Sequence, residues 1–175
     1  MPKLVNETLQ TVLDHIDQNL DGAIGRLQDL LRIPSVSTDP AYADEVHRCA
    51  EHLANDLRSI GLDTTVHKTN GHPMVVATDD SAGTDVPRVL YYGHYDVQPV
   101  QPLEEWDADP FEANVVDGPR GKRIVARGAA DDKGQLMTFV EAIRAWKTVH
   151  GKLPIRVVMI FEGEEECGSE SLEPF

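Results

Sequence analysis

Two short segments of almost continuous apolar sequence constrain the fold of this chain more than any other feature. They cover residues 86–92 and 155–161, and residues 134–150 between them show helical spacing of apolar side chains. The side chains expected to face inward are Leu136, Phe139, Val140 and Ile143. Strands that are apolar on both sides suit a sheet covered by helices on both faces. The sequence therefore predicts an α/β fold with a mixed, mostly parallel sheet flanked by helices.

The sequence before the first strand is predicted to be helical. Apolar residues recur at helical spacing in two segments, with a break near residues 21–22 and an end before Pro34. A third helix begins at Asp39 and Pro40, which are suited to the cap and the first turn. Gly61 closes it.

Two pairs of shorter strands complete the predicted layout. Residues 64–68 and 74–78 form a hairpin around a turn at residues 70–71. Residues 115–117 and 123–126 are expected to pair in the same way. The length of 175 residues is enough for one domain with a core.

Composition excludes some partners. Lys and Arg number 16 and Asp and Glu 30, a net charge of −14, so we predict no nucleic-acid partner. No segment is apolar over the length that spans a bilayer, and residues 1–7 lack the basic start and apolar run of a secretory signal. We therefore predict a cytoplasmic protein with no membrane partner. Cys49 and Cys167 form neither a CxxC pair nor a disulfide framework.

Polar motifs follow three of the predicted elements. They are Tyr92-Gly-His-Tyr-Asp-Val-Gln-Pro99, Arg127-Gly-Ala-Ala-Asp-Asp-Lys-Gly134 and Phe161-Glu-Gly-Glu-Glu-Glu-Cys-Gly168. Sheets of this class bind ligands beyond the carboxyl ends of their strands, which is where the first and third motifs lie. The sequence contains no GxSxG turn, no phosphate-binding GxxxxGK[ST] loop and no HExxH pair. A histidine with two acidic clusters instead indicates a hydrolytic metal site.

The first motif places His94 and Asp96 on the same side of the chain, because residues two apart in a strand share a face. His94 can then bind a metal ion while Asp96 orients or electrostatically tunes it. The alternative for an isolated pair of this kind is a half-buried His–Asp contact that satisfies only itself.

The second motif places Asp131 and Asp132 directly before a helix. One of them could bridge two cations about 3.5–4 Å apart, with Lys133 offsetting part of the charge. The alternative is an ordinary carboxylate cap at the helix N-terminus.

The third motif crowds four glutamates, at 162, 164, 165 and 166, after a buried strand. Their mutual repulsion indicates a nearby cation, although a solvated acidic turn is the alternative. Adjacent glutamates can divide two tasks, one binding metal and the other taking the proton of a bound water. Mixed imidazole and carboxylate ligands suit Zn²⁺, Mn²⁺ or Co²⁺.

The three motifs together resemble those of the dinuclear zinc peptidases of the carnosinase type. Their family also includes aminoacylase, glutamate carboxypeptidase, acetylornithine deacetylase and succinyl-diaminopimelate desuccinylase. The similarity extends over nearly the whole chain, including residues 30–37 and 106–111.

The resemblance implies a role for each matching residue. His94 would bind one zinc ion, Glu166 the other, and Asp131 would bridge them. Glu165 would be the general base, and Asp96 would tune the site. The peptide bond between Asp131 and the following aspartate would be cis.

The resemblance also implies an activity and a domain organisation. The activity is zinc-dependent hydrolysis of a peptide bond by a dipeptidase or a carboxypeptidase-like exopeptidase. An N-acyl amino-acid amidohydrolase and a non-catalytic module that keeps the fold are the alternatives. Family members carry another acidic ligand, a second metal histidine and an inserted lid and dimerisation domain further downstream. Residues 1–175 are therefore expected to be the N-terminal part of the catalytic domain of a homodimeric enzyme, with weak metal binding and little turnover of their own.

Overall fold

The computed structural model describes residues 7–175. The α-helices are α1 Glu7–Gln18, α2 Leu20–Leu31, α3 Ala43–Ser59 and α4 Lys133–His150. The strands are β1 Asp63–His67, β2 Met74–Asp79, β3 Arg88–His94, β4 Asn114–Gly118, β5 Gly121–Val125 and β6 Arg156–Glu162. Among these helices none is long and apolar enough to cross a membrane. The inference about a secretory signal falls mainly on residues 1–6, which lie outside the described range.

Four strands form a mixed sheet in the order β1-β2-β6-β3, and β4 pairs with β5 in a separate hairpin. The predicted α/β class with a mixed sheet is confirmed. The prediction of a mostly parallel sheet is wrong for the described strands, because only β3 and β6 are parallel. The long connection from β3 to β6 contains helix α4 and permits a parallel pair, whereas the short connection from β1 to β2 permits only an antiparallel one.

The described helices cover one face of the sheet. The core joins α3 and α4 to the side chains of Val157, Met159 and Phe161 on β6. The opposite face carries Leu90 and Tyr92, which are 63% and 46% exposed. The flanking helices are thus confirmed, but the prediction of cover on both faces is wrong for the described residues, since apolar character on both sides of a strand does not say which segment covers each side.

The helix ends agree with the local signals. The first two helices separate at Asn19, two residues before the predicted break. The Asp39 side chain accepts a hydrogen bond from the Ala41 N–H at 2.9 Å and caps a short 3-10 turn that leads into α3. Gly61 follows α3 with a φ of +78°, a conformation that glycine adopts without strain.

Candidate metal centre

The parallel pair β3 and β6 brings the first and third motifs to one edge of the sheet. His94 is the last residue of β3 and lies opposite Glu162, the last residue of β6. The Tyr95 N–H donates to the Glu162 carbonyl at 2.9 Å and extends this pairing by one step. A short 3-10 turn, Glu165–Cys167, begins three residues after the last residue of β6. The two loops therefore start side by side.

Side-chain atoms that could bind a metal ion converge at this edge. One ligand atom from each of His94, Glu165 and Glu166 lies within 4.8 Å of the others. Asp131 Oδ1 lies 3.2 Å from Nε2 of His94, and Glu165 Oε2 lies 3.8 Å from the same nitrogen. The imidazole is almost fully buried, while the Asp131 side chain is 72% exposed. The structure therefore brings the histidine of the first motif against acidic residues of both other motifs.

Asp96 lies behind His94. Its Oδ1 is 3.2 Å from Nδ1 of His94, on the other side of the ring from Asp131. Its Oδ2 accepts hydrogen bonds from the Ser37 hydroxyl at 2.6 Å and the Glu166 N–H at 3.1 Å. The residue is fully buried. This arrangement fixes Nδ1 as a donor and leaves Nε2 to face the acidic cluster.

The second motif does not act as a simple helix cap. Asp132 precedes α4, but its side chain makes no capping hydrogen bond. Instead its Oδ2 accepts a hydrogen bond from the backbone N–H of His94 at 3.1 Å. The peptide bond between Asp131 and Asp132 is cis, as the resemblance implies. Asp132 therefore attaches this loop to the end of β3.

Lys133 does not pair with the aspartates before it, contrary to the suggestion that it offsets their charge. It is fully buried, and its Nζ donates to the carbonyl oxygens of Leu30 at 3.1 Å and Ile33 at 2.7 Å. These carbonyls lie at and just beyond the C-terminal end of α2, where a cation is favourable. The lysine therefore anchors the second motif to α2.

Of the four clustered glutamates, Glu165 and Glu166 face the candidate site, and the other two are held elsewhere. Glu164 is buried and accepts hydrogen bonds from the N–H groups of His72 at 2.9 Å and Ser171 at 3.0 Å. Glu162 is also buried and accepts hydrogen bonds from the hydroxyls of Tyr92 and Ser169. Neither is part of a solvated acidic turn.

Two residues that contact the site were not predicted as parts of it. Ser37 bonds Asp96 from a segment 59 residues away in sequence. Gln98 Nε2 donates to Glu166 Oε2 at 2.7 Å. Gln98 lies two residues after Asp96 in the same motif. Because residues two apart in an extended segment share a face, this spacing could have predicted that Gln98 faces the site.

Burial and neighbouring charges shift the pKa values of His94 and Glu165. Burial by itself would lower the pKa of His94, but the hydrogen bond and charge of Asp96, with Asp132 and Glu165, outweigh it and raise that pKa to about 9. Burial and the charge of Glu166 raise the pKa of Glu165, against the influence of His94. The neighbouring carboxylates contribute to both shifts, in addition to burial in the case of Glu165.

The donor set fits divalent metal ions. Within residues 7–175, no lysine or arginine forms an ion pair with Asp131, Glu165 or Glu166. The crowded carboxylates therefore lack a lysine or arginine partner among the described residues, and one imidazole nitrogen with several carboxylate oxygens is a set that Zn²⁺, Mn²⁺ or Co²⁺ accepts. Both cysteines are free, as predicted, and neither belongs to the cluster.

Sequence comparison finds that this chain is similar to known peptidases. Residues 90–175 match the family described as Peptidase family M20/M25/M40. The Cys-Gly metallodipeptidase of Schizosaccharomyces pombe is 34% identical over 175 residues, a match that covers 95% of this chain and 36% of the relative. The Beta-Ala-His dipeptidase of Rattus norvegicus is 30% identical over 178 residues and is covered to 35%. The chain thus spans about a third of the length of these relatives.

Solved structures agree with the sequence matches. Human carnosine dipeptidase 1 superposes with a TM-score of 0.87 at 29% identity, over 97% of this chain and 37% of that one. A metallo-carboxypeptidase of the M20 family from Sulfolobus solfataricus superposes with a TM-score of 0.76 at 36% identity, over 87% of this chain and 33% of that one. The α/β architecture described above is therefore that of these peptidases.

Proposed function

We propose, from the match of residues 90–175 to peptidase family M20/M25/M40, that the complete protein is a zinc-dependent dipeptidase. The complete protein here means the chain together with any sequence that adjoins it. The observation that carries the proposal is the convergence of His94, Glu165 and Glu166 within 4.8 Å, with Asp131 against the histidine. Two of the relatives named above are dipeptidases. Their activity favours hydrolysis of a dipeptide over hydrolysis of an N-acyl amino acid.

The residues of the candidate site fall into proposed metal ligands and a proposed general base. His94 and Glu166 would each hold one zinc ion, and Asp131 would bridge the two. Manganese or cobalt suits the same donors. When bound, zinc would polarise the scissile carbonyl of the substrate and lower the pKa of a water molecule towards about 7. Asp96 keeps Nδ1 of His94 engaged, so that Nε2 is the nitrogen available for the metal.

Glu165 is the proposed general base. It accepts the proton of the attacking water on its carboxylate and delivers it to the leaving nitrogen. Its side chain is 44% exposed and faces Nε2 of His94 at 3.8 Å, which is consistent with a group that must reach both the water and the substrate.

The test of this role is Glu165→Gln in the complete protein, with Cys-Gly and β-Ala-His as probe dipeptides. We expect turnover to fall by about 10²–10⁴-fold while the zinc content stays unchanged. Glu170→Gln is the matched control, because Glu170 is exposed and lies four residues away from the cluster. If Glu165→Gln kept wild-type turnover, Glu165 could not be the general base.

We further propose that residues 1–175 are the N-terminal part of a catalytic domain, and that adjoining sequence supplies the remaining ligands and a dimerisation domain. The support is that three ligands are few for two zinc ions and that the chain spans about a third of its relatives. We expect two zinc ions per subunit in the complete protein and weak binding by residues 1–175 alone. Tight, stoichiometric binding of two ions by residues 1–175 would contradict this. The homodimer and the cytoplasmic location stay predictions.

A further inference from the structure

We propose that Ser37 is a positioning residue for the metal centre, acting through Asp96 on both His94 and Glu166. The inference rests on the proposed function for its link to metal binding. Its geometric basis is a single carboxylate that contacts three separate segments. One oxygen of Asp96 meets Nδ1 of His94 at 3.2 Å, and the other accepts from the Ser37 hydroxyl and the Glu166 N–H.

The Ser37 hydroxyl is the shortest of these contacts, at 2.6 Å. An ionised carboxylate only accepts hydrogen bonds, so the hydroxyl must donate. Asp96 is fully buried and Ser37 is 9% exposed, so water has little access to replace this bond. Without it, the Asp96 oxygen keeps only the longer contact from the Glu166 N–H, and the carboxylate is less firmly held in the plane that meets the imidazole.

The backbone holds Ser37 in place independently of its hydroxyl. The segment around it runs parallel to residues 95–97, with a bridge between Val36 and Val97. The Val97 N–H donates to the Ser35 carbonyl at 2.9 Å, a backbone bond that needs neither serine hydroxyl. This pairing fixes Ser37 beside Asp96, so replacing Ser37 by alanine removes the donor without releasing the segment.

The consequence is that one hydroxyl influences ligands of both proposed ions. Residues that orient a ligand from behind tune metal affinity by about 10–100-fold. Ser37 lies one hydrogen bond further from the proposed metal ions than Asp96, so we expect an effect on metal affinity at the lower end of that range. A serine that merely fills a buried gap would change stability and leave metal affinity unaltered.

The experiment compares Ser37→Ala with Ser35→Ala in the complete protein. Ser35 is the matched control because it is fully buried in the same segment and bonds a backbone carbonyl instead of Asp96. We expect both variants to lower the unfolding midpoint, but only Ser37→Ala to weaken Zn²⁺ and Co²⁺ binding by about 10-fold in chelator competition. Equal metal affinities in the two variants would overturn the proposal.

An Asp96→Ala background, which leaves no side-chain oxygen to accept the Ser37 hydroxyl, tests the route. If Ser37 acts through Asp96, Ser37→Ala should weaken metal binding there by less than about 2-fold, since coupled changes are not additive. A full 10-fold loss in that background would mean a route that bypasses Asp96 and would overturn the proposal.

Nuclear magnetic resonance of the metal-free protein separates this proposal from the proposed function. We expect a protected Nδ1 proton of His94 in the wild type and in Ser35→Ala, with faster exchange in Ser37→Ala. A wild type that shows this pattern yet binds no metal would remove the proposed function and leave the positioning of His94 by Ser37 intact. An unchanged proton in Ser37→Ala would overturn the positioning role.

Discussion

Replacing Lys133 by methionine tests what holds the second motif against α2. The fully buried ammonium donates to the Leu30 and Ile33 carbonyls. Hydrogen bonds from a charged group contribute about 1.5–3 kcal/mol each, so the two together represent about 3–6 kcal/mol. Methionine has a similar length and fills the space without a charge.

Two effects reduce this figure. Both carbonyls keep a second donor, the Ile33 N–H for Leu30 and the Ser35 N–H for Ile33, so neither is left unsatisfied. Burial also lowers the pKa of Lys133, which shows that the charged form has a desolvation cost that methionine avoids. We therefore expect a net loss of about 2–3 kcal/mol in the free energy of unfolding.

Urea unfolding of the wild type and of Lys133→Met measures the loss, provided that the slope of the free energy against urea is unchanged. Lys152→Met is the control, because it removes the same charge from an exposed position. A Lys133→Met protein as stable as the control, or more stable, would refute the reasoning. It would mean that the desolvation cost of the buried ammonium equals or exceeds what its two hydrogen bonds contribute.

Two further changes test packing and charge elsewhere in the fold. Gly163→Ala would place a Cβ 2.4 Å from the hydroxyl oxygen of the buried Tyr95 ring and should cost about 1–3 kcal/mol. Gly25→Ala, which meets nothing within 4 Å inside α2, should stabilise by about 0.5–1 kcal/mol, and equal urea midpoints would contradict the steric argument. Burial would raise the pKa of Asp79, but its hydrogen bond with Lys147 helps to lower it below 3.8. Its contribution to stability is thus complete above about pH 3.9 and is lost as the pH falls through the lower folded value. The stability difference between wild type and Asp79→Asn should shrink between pH 7 and pH 3, and a constant difference would contradict the pairing.

The local sequence determined the elements and the place of the motifs. Helical spacing and apolar runs follow from the geometry of the chain itself, so the α-helices and the strand pairs were predicted within a few residues. His94 and the glutamates were predicted at the carboxyl edge because strand ends follow directly from those runs. The cis peptide came from the resemblance and not from any physical reading of the residues.

Tertiary structure decided which side chains act together. Although the resemblance assigned Glu165 and Glu166 to the site, spacing alone could not show that Glu164 and Glu162 turn inward, because all four share one short segment. It suggested a charge-offsetting role for Lys133, which packing directs to α2 instead.

Ser37 shows the limit most clearly. Nothing in its local sequence points to Asp96, and the bond between them exists because residues 35–37 pair with residues 95–97. Periodicity determines which face a side chain takes, but contacts between segments far apart in sequence depend on how the whole chain packs. The face of the sheet that carries Leu90 and Tyr92 was predicted to be covered, but it is open in the described chain. The segment that covers a face also depends on how the whole chain packs.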